Sequence, residues 1–331
     1  MRAYQVVPLR LEEHRDALLR LWKRNFKGAW MDQCADRRLE WLYKENPFGE
    51  ARTWLAIDPE STEVIGCGSV FPSHKYIGGR VFRIGTTIDF TVEPRYRTAG
   101  AALAIQRALT SESRRAGFDC LIGKPNGKAL PIFRRVGYRS IGDCRKWIKA
   151  LDAPLARPDW NDGPWSDALV STADERVDTL WNAGKSQCRI AGVKTAAYLN
   201  WRYLCFKEMS YGLYCLFHRG DQRLAGYIVF TRMETSAFIA DLFCEDVFGP
   251  VVDDLLLGFA ARMRMEGLEW LAISYLGAPA FEDRLKPLGF LLRPRTHDLV
   301  AYVDPDCDAD LRHQIFDSEN SLVFGGEMDL F

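Results

Sequence analysis

The strongest constraint on this 331-residue chain is internal: it nearly repeats itself. "TTIDFTVEP" (Thr86–Pro94) and "AFIADLFCED" (Ala237–Asp246) each place one aspartate, Asp89 or Asp241, inside an apolar, β-favouring run, 152 positions apart. "RAGFDCLI" and "MEGLEWLAI" correspond through Gly117 and Gly267, 150 apart, and "FRRVGYR" and "LKPLGFL" through Gly137 and Gly289, again 152 apart. Three matches at nearly one offset argue for a duplicated unit.

In both copies the pattern reads strand, helix, strand, short helix, strand. Thr86–Val92 alternates like a strand, and Gly100–Arg115 carries helical apolar spacing at Ala102, Ile105 and Leu109. "FDCLIG" is a short buried strand, and "KALPIFRRVGY" a short helix ending at Gly137. Upstream, "RTWLAID" and "VIGCGSVFP" read as antiparallel strands with a hairpin through Gly78 and Gly79, preceded by two amphipathic helices. The class is α+β. Residues 1–150 are expected to form one domain and 151–190 a linker and helical segment. Residues 191–305 are expected to form a second domain, and 306–331 a polar, loosely packed tail. "YLNWRY" (Tyr198–Tyr203) reads as an amphipathic helix burying Trp201, with Arg202 toward solvent or a carboxylate.

Composition narrows the function. Lys plus Arg and Asp plus Glu number 44 each, so the chain offers no global field for nucleic acid or anionic lipid, and neither is the expected partner. Nine cysteines fall without a C-x-x-C pair, and the five histidines form no ligand set, so free thiols in a reducing compartment and no metal are expected. The start lacks the apolar core of a signal peptide, and no apolar run approaches the roughly 18 residues that cross a bilayer. A cytoplasmic protein is expected.

The chemistry concentrates in "VEPRYRTAGAA" (Val92–Ala102). A strand that ends and a helix that opens on small residues present free backbone N–H groups. With the positive end of the helix dipole they form a cradle for phosphate. Gly100 lets the backbone approach a ligand, Ala102 keeps the next turn small, and Arg97 either adds a charge-assisted contact or braces the loop.

"VEPRYRTAGAALAIQRAL" resembles the acetyl-CoA-binding motif of the GNAT acetyltransferases, V-x-P-x-Y-R-x-x-G-x-G/A, and "NGKALPIFRRVGY" resembles their following N-x-x-A-x-x-x-Y-x-x-x-G-F element. The resemblance covers nearly all of residues 1–150; the second copy is similar in element order but not in motif. It implies two GNAT-like units, each a mixed, mostly antiparallel twisted sheet flanked by helices. Acetyl-CoA or another acyl-CoA would be co-substrate, held by Val92, Arg97, Thr98, Ala99, Gly100, Ala101, Ala102 and Leu103. Asn126 and the Phe133 position would lie along the pantetheine arm. The acceptor would be the amine of a small molecule or amino sugar.

Acyl transfer to an amine needs a neutral nucleophile, and a lysine-like amine titrates near 10.4. Asp89 is the candidate base, with a structural aspartate held inside the sheet as the alternative, and Glu93 is the second candidate. The position where the family places a tyrosine acid holds Phe133, which cannot donate a proton. A thiolate leaving group, with a free thiol near 8.5, needs only modest help, so direct attack without an acyl-enzyme is expected. In the second copy "CEDVFGPVVDDLL" puts acid and Pro250 where the cradle would be, so that unit is expected not to bind CoA. A regulatory protein that binds acyl-CoA without turnover, and a Fem-like aminoacyl transferase, remain the alternatives.

Overall fold

The computed structural model describes residues 4–26, 29–97, 100–152 and 163–328. The chain divides into two compact units. The first comprises Met1–His74, Phe82–Ile141 and Asp298–Phe316, and the second Lys75–Val81, Gly142–His297 and Asp317–Phe331. These differ from the expected boundaries at 150, 190 and 305. The late segment Asp298–Phe316 belongs to the first unit, and Gly142–Ala150 to the second. Strand exchange of this kind leaves no mark in local composition.

The elements follow in order as β1 (Gln5–Pro8), α1 (Leu11–Asn25), α2 (Ala29–Lys44), β2 (Arg52–Ile57), β3 (Val64–Ile77), β4 (Arg80–Val92), α3 (Ala101–Glu112), β5 (Cys120–Gly123), α4 (Leu130–Arg135) and β6 (Arg139–Ala150). They continue as β7 (Trp165–Val170), α5 (Glu175–Gly184), β8 (Ile190–Gly192), α6 (Ala196–Leu199), β9 (Tyr211–His218), β10 (Leu224–Met233), β11 (Ser236–Cys244), α7 (Pro250–Met265), β12 (Trp270–Gly277), α8 (Pro279–Leu285), β13 (Leu291–Val303), α9 (Ala309–Gln314) and β14 (Ser321–Phe324). The repeated order is therefore present, as β4-α3-β5-α4-β6 and as β11-α7-β12-α8-β13. The repeated glycines have one local cause: Gly117, Gly137, Gly267 and Gly289 all stand at positive φ in the turn that follows a helix, where a side chain would be strained.

In the first unit the strands lie in the order β1-β2-β3-β4-β5, with Val300–Val303 of β13 antiparallel to Cys120–Gly123 of β5. α3 lies on this sheet over two glycines of β3. A Cβ on Gly66 would come within 3.0 Å of Ile105 and Val92, and one on Gly68 within 2.8 Å of Ile105. The absent side chains are what let Ile105 and Leu109 reach full burial, worth about 1.5–3 kcal/mol each.

In the second unit the order is β6-β12-β11-β10-β9-β7. The tail expected to pack loosely does not. Ser321–Met328 is buried throughout, β14 pairs with both β12 and β8, and the apolar run "LVF" supplies the burial that the polar stretch before it conceals. Arg202 also departs from expectation. It is buried beside Trp201 and donates to the carbonyls of Gly326 (3.2 Å) and Met328 (2.8 Å). Among the described residues no helix is long and apolar enough to cross a membrane.

Candidate functional site

The first unit's site forms where two parallel strands part. β4 and β5 pair over Ile84–Thr86 and Cys120–Ile122. β4 then continues to Val92, while β5 stops at Gly123. Thr87 closes the ladder: its hydroxyl donates to the Ile122 carbonyl at 3.0 Å, satisfying an acceptor that a further rung would have used. A Cβ on Gly123 would lie 2.3 Å from Thr87 Oγ1 and 2.9 Å from Phe133 Cε1, so nothing larger than glycine fits there.

Asp89 sits on the extended side of this parting, with its backbone in the left-handed region at φ +47°. Aspartate is among the few residues that tolerate that conformation. Its side chain is 3% exposed, and Oδ1 accepts from Nη2 (2.8 Å) and Nε (3.2 Å) of Arg38 on α2. Behind the pair lies a buried hydroxyl chain. Tyr43 bonds Thr53, and Thr53 bonds Ser69 at 2.7 Å. Burial, and next the charge of Asp89, push the Tyr43 hydroxyl well above its ordinary range, so it stays protonated.

The cradle residues follow. Val92 is buried, and its carbonyl accepts from Arg97 Nε at 2.9 Å, while Arg97 Nη2 lies 3.4 Å from Asn25 Oδ1. Thr98 and Ala99 lie outside the described residues. Gly100 is the left-handed residue (φ +93°) from which α3 starts, and among the described residues nothing stands within 4 Å of where its Cβ would be. The N–H groups of Ala101, Ala102 and Leu103 precede the first intrahelical bond, from Ala104 N–H to Gly100 O at 3.0 Å.

The remaining candidates take definite places. Asn126 is exposed, and its Oδ1 accepts from the N–H groups of Lys128 and Ala129, both at 3.0 Å, so it caps the turn into α4. Phe133 is buried, edge-on to Phe90 at 5.7 Å and tilted against Tyr138 at 4.8 Å; its ring walls the parting but offers no proton. Glu93 does not join Asp89. It faces a polar cleft of about 360 Å³ with Glu13, His14, Arg20, Arg24 and Glu63. Sequence reasoning missed Arg38, Thr87, Gly123 and Gln106. Gln106, one turn into α3, is fully buried with both amide atoms lacking a partner among the described residues. Its signal was a lone amide on an apolar helix face.

No family model matches this chain, and no curated protein matches it in sequence. Solved structures do. A GCN5-related N-acetyltransferase from Anabaena variabilis aligns at TM-score 0.68 and 14% identity, over 91% of this chain and 73% of that one. A probable N-acyltransferase from Enterococcus faecalis aligns at 0.68 and 12%, with the same coverage. The N-myristoyltransferase of Saccharomyces cerevisiae, solved with bound myristoyl-CoA, aligns at 0.57 and 9%, over 95% and 84%. The fold is the GNAT fold.

The second unit repeats the first unit's order of elements but fills its corresponding places. β11 and β12 pair in parallel only over Ser236–Ile239 and Trp270–Ile273. From Tyr275 onward β12 pairs instead with β14. α7 opens at Gly249 in an extended conformation, with Asp246 so close that a Cβ on Gly249 would fall 1.8 Å from its Oδ2. Asp241, the counterpart of Asp89, is fully buried and bonds Lys194 Nζ at 2.5 Å. Among the described residues no cluster of side chains could hold a metal ion.

Proposed function

We propose that this chain is a tandem GNAT acyltransferase. The first unit binds acyl-CoA and passes the acyl group by direct attack to an amine of a small molecule or amino sugar. One observation carries the reading: parallel strands part beside a helix that begins at an open, left-handed glycine. The N–H groups of Ala101, Ala102 and Leu103 hold the pyrophosphate, and the pantetheine arm enters between β4 and β5 past Thr87, Gly123 and Phe133. The neighbours' names supply the general chemistry, acyl transfer to an amine.

Within that reading Asp89 acts by position. A carboxylate engaged by a buried guanidinium is a reluctant proton acceptor, and the same contact fixes the left-handed kink that carries β4 away from β5. The amine therefore loses its proton to water, and the thiolate leaves without an acid. Asp89→Asn is expected to weaken CoA affinity and stability together. A loss of turnover with affinity and melting intact would instead make Asp89 the base.

The binding test is thermal unfolding with acetyl-CoA, CoA and a long-chain acyl-CoA. Ligand at a hundred times its dissociation constant should add about 2.7 kcal/mol to native stability. Gly100→Glu, which puts a carboxylate into the cradle, should abolish that gain, measured against the variant's own unliganded melt, which the side chain at φ +93° lowers by about 1–3 kcal/mol. An unchanged response in the variant removes the pyrophosphate assignment. Phe133 favours one second reading, an acyl-CoA sensor without turnover: binding with no transfer across a broad amine panel would establish it.

A further inference from the structure

The second unit's parting is occupied by the chain itself. β14 enters where β12 leaves β11, pairing antiparallel as Tyr275 with Phe324, Leu276 with Val323 and Gly277 with Leu322. On its other side it runs parallel to β8, with Ser321 and Leu322 opposite Ile190 and Ala191. The turn Gly325–Glu327 then passes against β11 next to Asp241. A Cβ on Gly326 would lie 2.6 Å from the Ala240 carbonyl, one on Gly192 2.7 Å from Glu327 Oε2, and one on Gly277 2.0 Å from the Ser321 carbonyl. Gly192 and Gly277 thus make room for this segment on two sides, and its own Gly326 lets it lie close against β11. In the first unit, among the described residues, no strand enters between β4 and β5.

The segment is held by charge as well as by backbone pairing. Glu327 is 5% exposed; its Oε2 accepts from Lys75 Nζ at 2.8 Å and its Oε1 from Lys194 Nζ at 3.3 Å. Burial drives the Glu327 carboxyl upward, but the two ammonium groups outweigh it and leave it below its ordinary range. Arg202 clamps the carbonyls on either side, of Gly326 and Met328. At the mouth, Asp246 stands over the start of α7, where the first unit has the open space above Gly100.

We infer that Ser321–Met328 is a resident peptide ligand of the second unit. It fills the slot that an acyl donor takes in the first, so that slot is a groove for an extended peptide with one glutamate-specific pocket, formed by Lys75 and Lys194. The assignment of the slot rests on the reading of the first unit as the donor site. The occupancy by a separable segment does not, and the test uses no acyl-CoA.

In the full-length protein, hydrogen exchange is followed at the amides of residues 322–324 in wild type and in Glu327→Gln. A segment that opens by itself does so below the free energy of global unfolding, so the variant should exchange about tenfold faster there while β9 and β10 keep their wild-type rates. A fluorescent octapeptide of sequence SLVFGGEM should then bind the full-length variant and not the wild type, and the same peptide with glutamine for glutamate should bind at least about tenfold more weakly. Should Glu327→Gln fail to fold, Lys75→Met keeps the Lys194 contact and should show the same local acceleration in smaller degree. Exchange at 322–324 that changes only in step with β9 and β10, or equal binding of the two peptides, would overturn the inference.

Discussion

Two strand partings in one chain share a design and end differently. In each, an aspartate on the longer strand is buried against a cation from an earlier segment: Asp89 with Arg38, Asp241 with Lys194. In each, a helix follows. Among the described residues, the gap beyond Thr86 in the first unit takes no strand and the Cβ position at its helix start meets no atom within 4 Å, whereas in the second unit the gap holds a peptide and the helix start faces a carboxylate. The buried ion pair is thus common to an open slot and a filled one. A feature shared by both belongs to the geometry of parting, and what differs, the glycine at the helix start and the occupant of the gap, separates a binding unit from a scaffolding one.

The widest effect is expected from removing one partner of each pair. Truncating the cation leaves a buried carboxylate alone, which typically costs about 3–5 kcal/mol. Arg38→Met and Lys194→Met should both fall in that range by urea unfolding at pH 7.5. Acid should reduce the loss wherever the stranded carboxyl takes up a proton. Burial, opposed by Lys194, already pushes the Asp241 carboxyl up to about 6. A carboxyl whose folded pKa is raised favours the fold while protonated and costs stability as pH rises through that value. Without Lys194 its value lies higher still, so the Lys194 variant should regain much of its loss between pH 7.5 and 5. A Lys194 variant whose deficit is the same at both pH values would show that Glu327, not Asp241, is the group left stranded.

How much of this was legible beforehand follows from how local each signal is. The repeated aspartates and glycines could be read because each answers to its own backbone: Gly137 and Gly289 stand at positive φ after short helices whatever lies around them. Gly100 was legible through the spacing of its motif. Arg38 was not, since its partner lies 51 residues away and nothing in "ADRRLEWL" separates a buried arginine from a solvated one. The tail was misread for the opposite reason: charge over 304–320 set the impression, and four residues, Ser321–Phe324, set the structure. The exchange of β6 and β13 between units is a matter of topology, which composition does not encode.

A smaller effect is expected at Gly123. Alanine there must displace Thr87 Oγ1 or the Phe133 ring, and over-packing of this kind costs about 1–3 kcal/mol. The same methyl group narrows the first parting from within, so acetyl-CoA stabilisation should fall further than the melting temperature alone accounts for. If Gly123→Ala loses stability but responds fully to acetyl-CoA, the pantetheine path does not pass this residue.

The smallest and most diagnostic contrast lies at the two helix starts. Gly100→Ala meets no atom within 4 Å but must hold φ +93°, a conformation that costs a side-chain-bearing residue about 1–3 kcal/mol. Gly249→Ala has the opposite problem. At φ −128° its backbone suits alanine, and the obstacle is the Asp246 side chain, which can swing away. Expected losses are therefore about 1 kcal/mol or more for Gly100→Ala, at the lower end of that strain cost, and about 0.5 kcal/mol or less for Gly249→Ala, as for a surface change. Pairing each with Asp246→Ala separates the causes, since that change should erase the Gly249 penalty and leave the Gly100 penalty untouched. Were the two penalties equal and both insensitive to Asp246, the helix starts would be the same device in both units, and the contrast would rest on the occupied gap alone.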